Sequence, residues 1–212
     1  ETFDLKCLRQ TTPDNRGVIE RAIQAGRFPV TSSLGRLFDA VASILNIAHK
    51  VTFEGQAAYL LDMAAQGAYG DSTYDFELAE TTPFKPSDYP VCRGTLDSIK
   101  LPEPPKLTTG WIMDPRPALR AIVDDITADR GTATSATAFH GTLLALFLEV
   151  ARRIRSETGI TAVAMSGGSW QNRILGDRFP AMLEDDGFTV HTNRIVPVTD
   201  GGISLGQAYI GA

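Results

Sequence analysis

Apolar positions recur at helical spacing through most of the chain. Thr12-Pro13-Asp14-Asn15 carries the signature of a helix start and Gly26 that of its stop, with Val18, Ala22 and Ala25, or Ile19 and Ile23, as the stripe between. After Pro29, Thr31-Ser32-Ser33 offers caps for a second helix over about 34–47, whose apolar face is Leu34, Leu37, Phe38, Val41 and Leu45. Asp39 falls elsewhere on that wheel, among Gly35, Ala42 and Ser43. A third helix is expected over about 54–65, stopped by Gly67. A fourth is expected over 115–129, with its prolines at the start. The clearest runs over about 133–156: Phe139, Leu143, Leu146, Phe147, Val150 and Ile154 form its stripe, Arg152, Arg153 and Arg155 load its last turns, and Gly159 ends it.

The remainder alternates. Residues 161–165 read as a buried strand, 170–183 as a helix, 188–191 and 195–198 as strands, and 203–210 as a closing helix. Residues 111–113 read as a further strand. This is an α/β pattern with long helices. Residues 68–106 break it. Six of the twelve prolines lie there, and only the alternation of Tyr74-Asp75-Phe76-Glu77-Leu78 suggests an edge strand. With no run of core residues, the segment reads as a loop-rich insertion across the surface.

Composition narrows the function classes. The 212 residues suit one domain or two small lobes, able to bury roughly 70% of the unfolded surface. Twenty basic against 25 acidic residues leave a net charge of −5, which disfavours a role built on phosphate neutralisation of nucleic acid. The longest apolar stretch, around Leu143–Leu148, is far short of the ~20 residues that span a bilayer. Cys7 and Cys92 are the whole cysteine set; they make neither a disulfide framework nor a four-cysteine zinc site, and they fit a reducing compartment, the cytoplasm.

Several stretches could carry chemistry. Met165-Ser166-Gly167-Gly168-Ser169 stands between a strand and a helix; its glycines let a ligand approach the backbone and leave helix N-terminal N–H groups facing outward, or they make only a tight turn. Asn172 lies one turn further, where its amide could bond a base or a sugar, or simply meet water. Asp200, in Thr199-Asp200-Gly201-Gly202, either ligates a hard cation or caps the helix after it. Asp39 either holds ribose hydroxyls or pairs with a nearby arginine at a tight helix crossing. His49, His140 and His191 show no paired metal spacing and read as structural or surface residues. Asp124-Asp125 and Glu184-Asp185-Asp186 read as solvated faces or helix ends. No catalytic nucleophile is visible.

Three blocks go further. Thr31-Ser32-Ser33-Leu34-Gly35-Arg36-Leu37-Phe38-Asp39-Ala40-Val41-Ala42, then Glu54-Gly55-Gln56-Ala57-Ala58, then Ser166-Gly167-Gly168-Ser169-Trp170-Gln171-Asn172-Arg173 resemble, in order, signature blocks of the hydrogenase-maturation carbamoyltransferase (HypF) family. Phe139-His140, Thr199-Asp200-Gly201-Gly202 and Leu205-Gly206-Gln207 match in the same order. The likeness covers about 29–65 and 134–212; Ser169-Trp170 stands for the usual Val-Phe, and Thr199 for the usual Asn. It implies a Kae1-like carbamoyltransferase module, one lobe of an actin/hexokinase-like (ASKHA) ATPase fold with a helical, loop-rich insertion. It assigns Asp39, Gly55, Gly167, Gly168 and Asn172 to nucleotide binding, and Asp200 to a divalent metal (zinc, iron or magnesium) that two histidines also hold. ATP and carbamoyl phosphate would be the substrates and carbamoyl-adenylate the intermediate. A HypE-like partner would accept carbamoyl on a C-terminal cysteine, on the way to the nickel–iron site. The family's metal histidines and glycine-rich phosphate segment precede the first matching block, so the chain reads as a C-terminal fragment, inactive alone, with weak or no nucleotide binding and no stable metal site. The rival expectations are a tRNA threonylcarbamoyladenosine synthase-like enzyme, a small-molecule O-carbamoyltransferase, and a non-catalytic nucleotide-binding or docking module. Neither nucleic acid nor a membrane is an expected partner.

Overall fold

A computed structural model describes residues 5–28, 31–65, 72–83 and 107–211. Among the described residues seven helices carry the fold: α1 (Pro13–Gln24), α2 (Leu34–Ile44), α3 (Gln56–Ala65), α4 (Arg116–Thr127), α5 (Thr132–Thr158), α6 (Arg173–Asp185) and α7 (Ile203–Gly211). The described residues also form four short strands, paired in two separate sheets. β1 (Glu77–Thr81) runs antiparallel to β2 (Gly110–Asp114), with Glu80 opposite Trp111. β3 (Ala162–Met165) runs parallel to β4 (Thr189–Thr192), with Val163 opposite Val190. The chain is therefore mixed α/β, but rich in helix.

The caps read from the sequence form. Thr12 Oγ1 accepts from the Asn15 N–H at 3.3 Å and Ser33 Oγ from the Arg36 N–H at 3.4 Å, each taking up a donor that the first helical turn leaves without a partner. Gly159, at φ +75°, closes α5 in the left-handed region that glycine enters at least cost.

The core lies around α5. Phe38 and Val41 of α2, Leu61 of α3, Ile122 of α4 and Leu175, Phe179 and Leu183 of α6 pack with Phe139, Leu143 and Leu144 of α5. Residues 135–140 of α5 are buried on every side. Helix α5 is long and apolar enough to cross a membrane by length and composition alone. Its burial among α2, α3, α4 and α6 accounts for that composition as a core helix.

Four expectations are corrected. Residues 195–198 form no strand: Ile195 is 97% exposed, and Pro197 lacks the N–H a ladder needs. The strand at 162–165 is not buried throughout; Ala162 and Ala164 face outward, and Met165 alone is buried. The edge strand lies at 77–81 instead of 74–78. Tyr74 is drawn inward, its N–H donating to Thr142 Oγ1 at 2.8 Å and its hydroxyl to Asp125 Oδ2 at 2.6 Å. No residue of α1 is buried, and Val18 and Ile23 stay open to solvent. Gly67, Cys92 and residues 84–106 of the proline-rich segment lie outside the described residues.

Candidate functional site

Strands β3 and β4 are parallel and joined by α6, so their carboxyl ends lie on one side. Ligands in open α/β units bind at such ends. Met165, the last residue of β3, leads into the Gly167–Gly168 turn; Thr192, the last of β4, leads through 193–199 to Asp200. The two paths touch: the Gly167 N–H donates to the Val198 carbonyl at 2.8 Å. Gly167 sits at φ +105°, where a side chain would be strained. A Cβ at Gly167 or Gly168 would meet no atom within 4 Å, so the turn is open on that face. A short 3-10 turn, Gly168–Gln171, then leads to Asn172.

Asn172 is the N-cap of α6, its Oδ1 accepting from the Leu175 N–H at 3.0 Å. Its Nδ2 reaches His140 Nε2 at 3.0 Å. His140 is fully buried, and its Nδ1 stands 2.7 Å from the Ala136 carbonyl. That carbonyl only accepts, so Nδ1 carries the proton and Nε2 is the acceptor for Asn172. Beside it Asp62 of α3, 3% exposed, accepts from the Ile174 N–H at 3.3 Å. The first N–H groups of α6 are thus partly taken up from within. This corrects the expectation that they face outward to a ligand, and leaves the glycine turn as the open part of the site.

Asp39 is tied in through its neighbour. The Phe38 ring stands 5.5 Å from the His140 ring and 5.3 Å, edge-on, from that of Phe139. Asp39 itself pairs with Arg36 at 3.0 Å, its side chain 29% exposed. Of the small residues on its face, Ala42 is fully buried in the core. The packed crossing with an arginine pair therefore exists, and the carboxylate still borders solvent. Gly55, at φ +79°, is exposed at the start of α3. It lies seven residues, about 10 Å of helix, from Asp62.

Asp200 opens the 3-10 turn Asp200–Gly202 and is exposed. Among the described residues no three His, Cys, Asp or Glu gather to hold an ion. One carboxylate does not make a site for a hard cation that takes six or more oxygens. The described residues therefore do not by themselves fit the implied metal.

Sequence reasoning missed two buried groups, Asp62 and Asp125, and left His140 between a structural and a surface reading, of which the structural one holds. His140 and Asp62 support the site from beneath. Asp125, read as solvated, is 8% exposed and holds the Tyr74 hydroxyl, Ser135 Oγ at 3.3 Å and Arg130 at 3.4 Å. No local pattern marks such partners; only the odd polar residue on an otherwise apolar face, as with His140 beside Phe139, could have flagged one. A concavity of about 430 Å³ lies elsewhere, beside β2 and α4, lined by Glu77, Asp114, Arg116, Arg120 and Asp124. Its Asp114 and Arg116 are already paired at 2.5 Å, which holds the Asp114 carboxyl at about 2.

Comparison with known proteins bears on the whole chain. Residues 3–207 match the family described as carbamoyltransferase, Kae1-like domain, second subdomain. The chain is similar to carbamoyltransferase HypF2 of Cupriavidus necator, 33% identical over 190 residues, covering 86% of this chain and 22% of that protein. It is also similar to carbamoyltransferase HypF of a Synechocystis species, 34% identical over 185 residues, covering 87% of this chain and 20% of that protein. Among solved structures it resembles a full-length HypF in a phosphate- and nucleotide-bound form, with a TM-score of 0.76 and 32% identity over 97% of this chain and 28% of that one. The chain thus spans about a fifth of the length of the curated relatives it matches.

Proposed function

The chain belongs to the HypF carbamoyltransferase family, as the second subdomain of its Kae1-like domain, and on that footing we propose that it forms one wall of an adenylate-binding cleft, one lobe of an actin/hexokinase-like fold. The observation that carries the reading is the Gly167–Val198 hydrogen bond at 2.8 Å. It joins the Gly-Gly-x-x-x-Asn turn to the segment bearing Asp200, at the carboxyl ends of two parallel strands. In this reading the backbone at Gly167 and Gly168 lies against the nucleotide, the Asn172 amide bonds it, and Asp39 and Gly55 border its ribose. Asp200 offers one carboxylate to a divalent ion whose other ligands come from outside this chain.

The reaction is carbamoyl transfer in nickel–iron hydrogenase maturation, in the cytoplasm. ATP and carbamoyl phosphate give carbamoyl-adenylate elsewhere in the enzyme. A C-terminal cysteine thiolate of a HypE-like partner attacks the carbamoyl carbon of that mixed anhydride. The carbon–oxygen bond to phosphate breaks, AMP leaves with the electron pair, and a thiocarbamate remains on sulfur. This chain's share is to fix the adenylate so that its carbamoyl end faces the thiolate, which removes entropy from the barrier.

The test joins this chain to the first subdomain of a HypF relative and titrates ADP calorimetrically. Binding is expected, weakened about tenfold or more by Asn172→Ala and by Asp39→Ala, since each removes about 1.4 kcal/mol or more of contact. A folded fusion that binds ADP equally well with both substitutions would overturn the reading.

A further inference from the structure

An N-cap needs only an acceptor, and Ser, Thr or Asp would serve α6 as well as Asn. What Asn172 adds is a donor, its Nδ2, and that donor is given to the one nitrogen of a fully buried imidazole that can accept it. The imidazole cannot turn away. Its other nitrogen is held by the Ala136 carbonyl at 2.7 Å, and the rings of Phe38 and Phe139 stand at 5.5 and 5.8 Å.

The two contacts of Asn172 select one of its two amide orientations. Flipping the amide would set Oδ1 against the Nε2 lone pair of His140. It would also set the NH₂ group against the Leu175 N–H. Both contacts would turn from attractive to repulsive, in a half-buried place where water does not freely replace them. A cap alone, on an exposed helix end, would leave the amide nitrogen free to wander with solvent.

We propose that His140 is a positioning residue of the nucleotide site: its Nε2 locks the Asn172 carboxamide in a single orientation, so that the same amide edge meets every incoming adenylate. The inference rests on the nucleotide role proposed above for Asn172. Nδ2 carries two hydrogens; His140 takes one, and the second is the donor offered to an acceptor on the ribose or the adenine. The class of ligand group that this edge recognises is therefore an acceptor, a ring nitrogen or a sugar oxygen, and not a further donor. Asp62 of α3 is the charged group beside the imidazole, and it touches the same helix start through the Ile174 N–H.

Two substitutions of His140 and one of Asn172 separate positioning from packing. His140→Gln places an amide oxygen near the former Nε2 and can still receive Asn172. His140→Asn reaches only as far as the former Nδ1, keeps the Ala136 contact and leaves Asn172 without its partner. Asn172→Asp keeps the cap but loses the donor, and so should drive a proton onto Nε2.

The experiment is nitrogen-15 NMR of this chain joined to the first subdomain of a HypF relative, as wild type and with each of these substitutions, with millimolar ADP as the probe. In the wild type the His140 Nε2 should show the shift of an unprotonated nitrogen, and one Asn172 amide hydrogen should exchange slowly. Asn172→Asp should move Nε2 to the shift of a protonated nitrogen. ADP should perturb Gly167, Gly168 and Asn172, with an affinity kept within about twofold by His140→Gln and lowered about tenfold by His140→Asn. A protonated Nε2 in the wild type, or His140→Asn binding ADP as the wild type does, overturns the role of His140 and leaves that of Asn172 standing. A wild type with the expected ring shift and no response to ADP overturns the nucleotide reading itself, and the positioning role with it.

Discussion

His140 Nε2 and Asn172 Nδ2 meet at 3.0 Å across 32 residues of sequence, joining the buried middle of α5 to the first turn of α6. The contact places an ionisable ring in the core against the residue that caps α6. Burial holds its imidazole below the ordinary 6.5, against the opposing pull of the Ala136 carbonyl and of the Asp62 carboxylate.

Stability should therefore depend on mild acid. In the unfolded chain His140 takes up a proton as pH falls through about 6.5, whereas the folded ring resists protonation. The unfolded state then binds more protons, so stability is fully present above about 6.5 and declines below it. Thermal melts between about pH 7 and pH 5 should show a falling midpoint, and His140→Gln should flatten that fall. Equal slopes in both proteins would contradict the assignment.

Tyr74 anchors the segment before β1 through its hydroxyl on Asp125. Burial, and then the Asp125 contact, hold the phenol well above its ordinary 10. Tyr74→Phe should cost about 1–3 kcal/mol in urea denaturation, since the 8% exposed Asp125 loses a donor. In the wild type, stability should fall as pH rises past about 10, where the unfolded phenol ionises and the folded one does not. A Tyr74→Phe variant within about 0.5 kcal/mol of wild type would mean that the contact contributes little.

Gly176 lies inside α6, where alanine would ordinarily favour the helix by up to ~1 kcal/mol. Here a Cβ would stand 2.6 Å from the backbone oxygen of Trp170, closer than such atoms approach. The Trp170 ring is held in turn, stacked on Phe179 at 5.4 Å and 7°. Gly176→Ala should thus destabilise the chain, by about 1–3 kcal/mol as an overpacking change. A raised melting temperature would show that the 3-10 turn gives way easily.

Leu61 of α3 is fully buried in the cluster that includes Phe38 and Leu144. Leu61→Ala should cost about 2–5 kcal/mol by transfer and cavity terms together. Tyr59→Ala on the same helix, 56% exposed, should stay within about 0.5 kcal/mol of wild type. Denaturation midpoints of the two variants compare them directly.

The helices were legible because their signals are local. Thr12, Ser33 and Gly159 mark ends that chemistry within a few residues determines, and the stripe on α5 needs no partner to be read. The strand errors have the opposite cause. The apolar residues 195, 196 and 198 look like a strand until Pro197 and the end of β4 at Thr192 leave them nothing to pair with. Tyr74 belongs to an alternating run, but its bonds to Thr142 and Asp125 turn it from a ladder residue into an anchor. The glycine turn could be read from its own residues. That His140 braces Asn172 beyond it could not, because that bond joins two helices across 32 residues of sequence.

The central claim is that the turn after β3 and the segment after β4 face one adenylate. Photolabelling with an azido-adenine diphosphate tests it most directly, on this chain joined to the first subdomain of a HypF relative. Peptide mapping should place the label within 166–172 or 198–202, and excess ADP should suppress it. Label that ADP suppresses but that lies instead beside β2 and α4, around Arg116 and Arg120, would contradict the account.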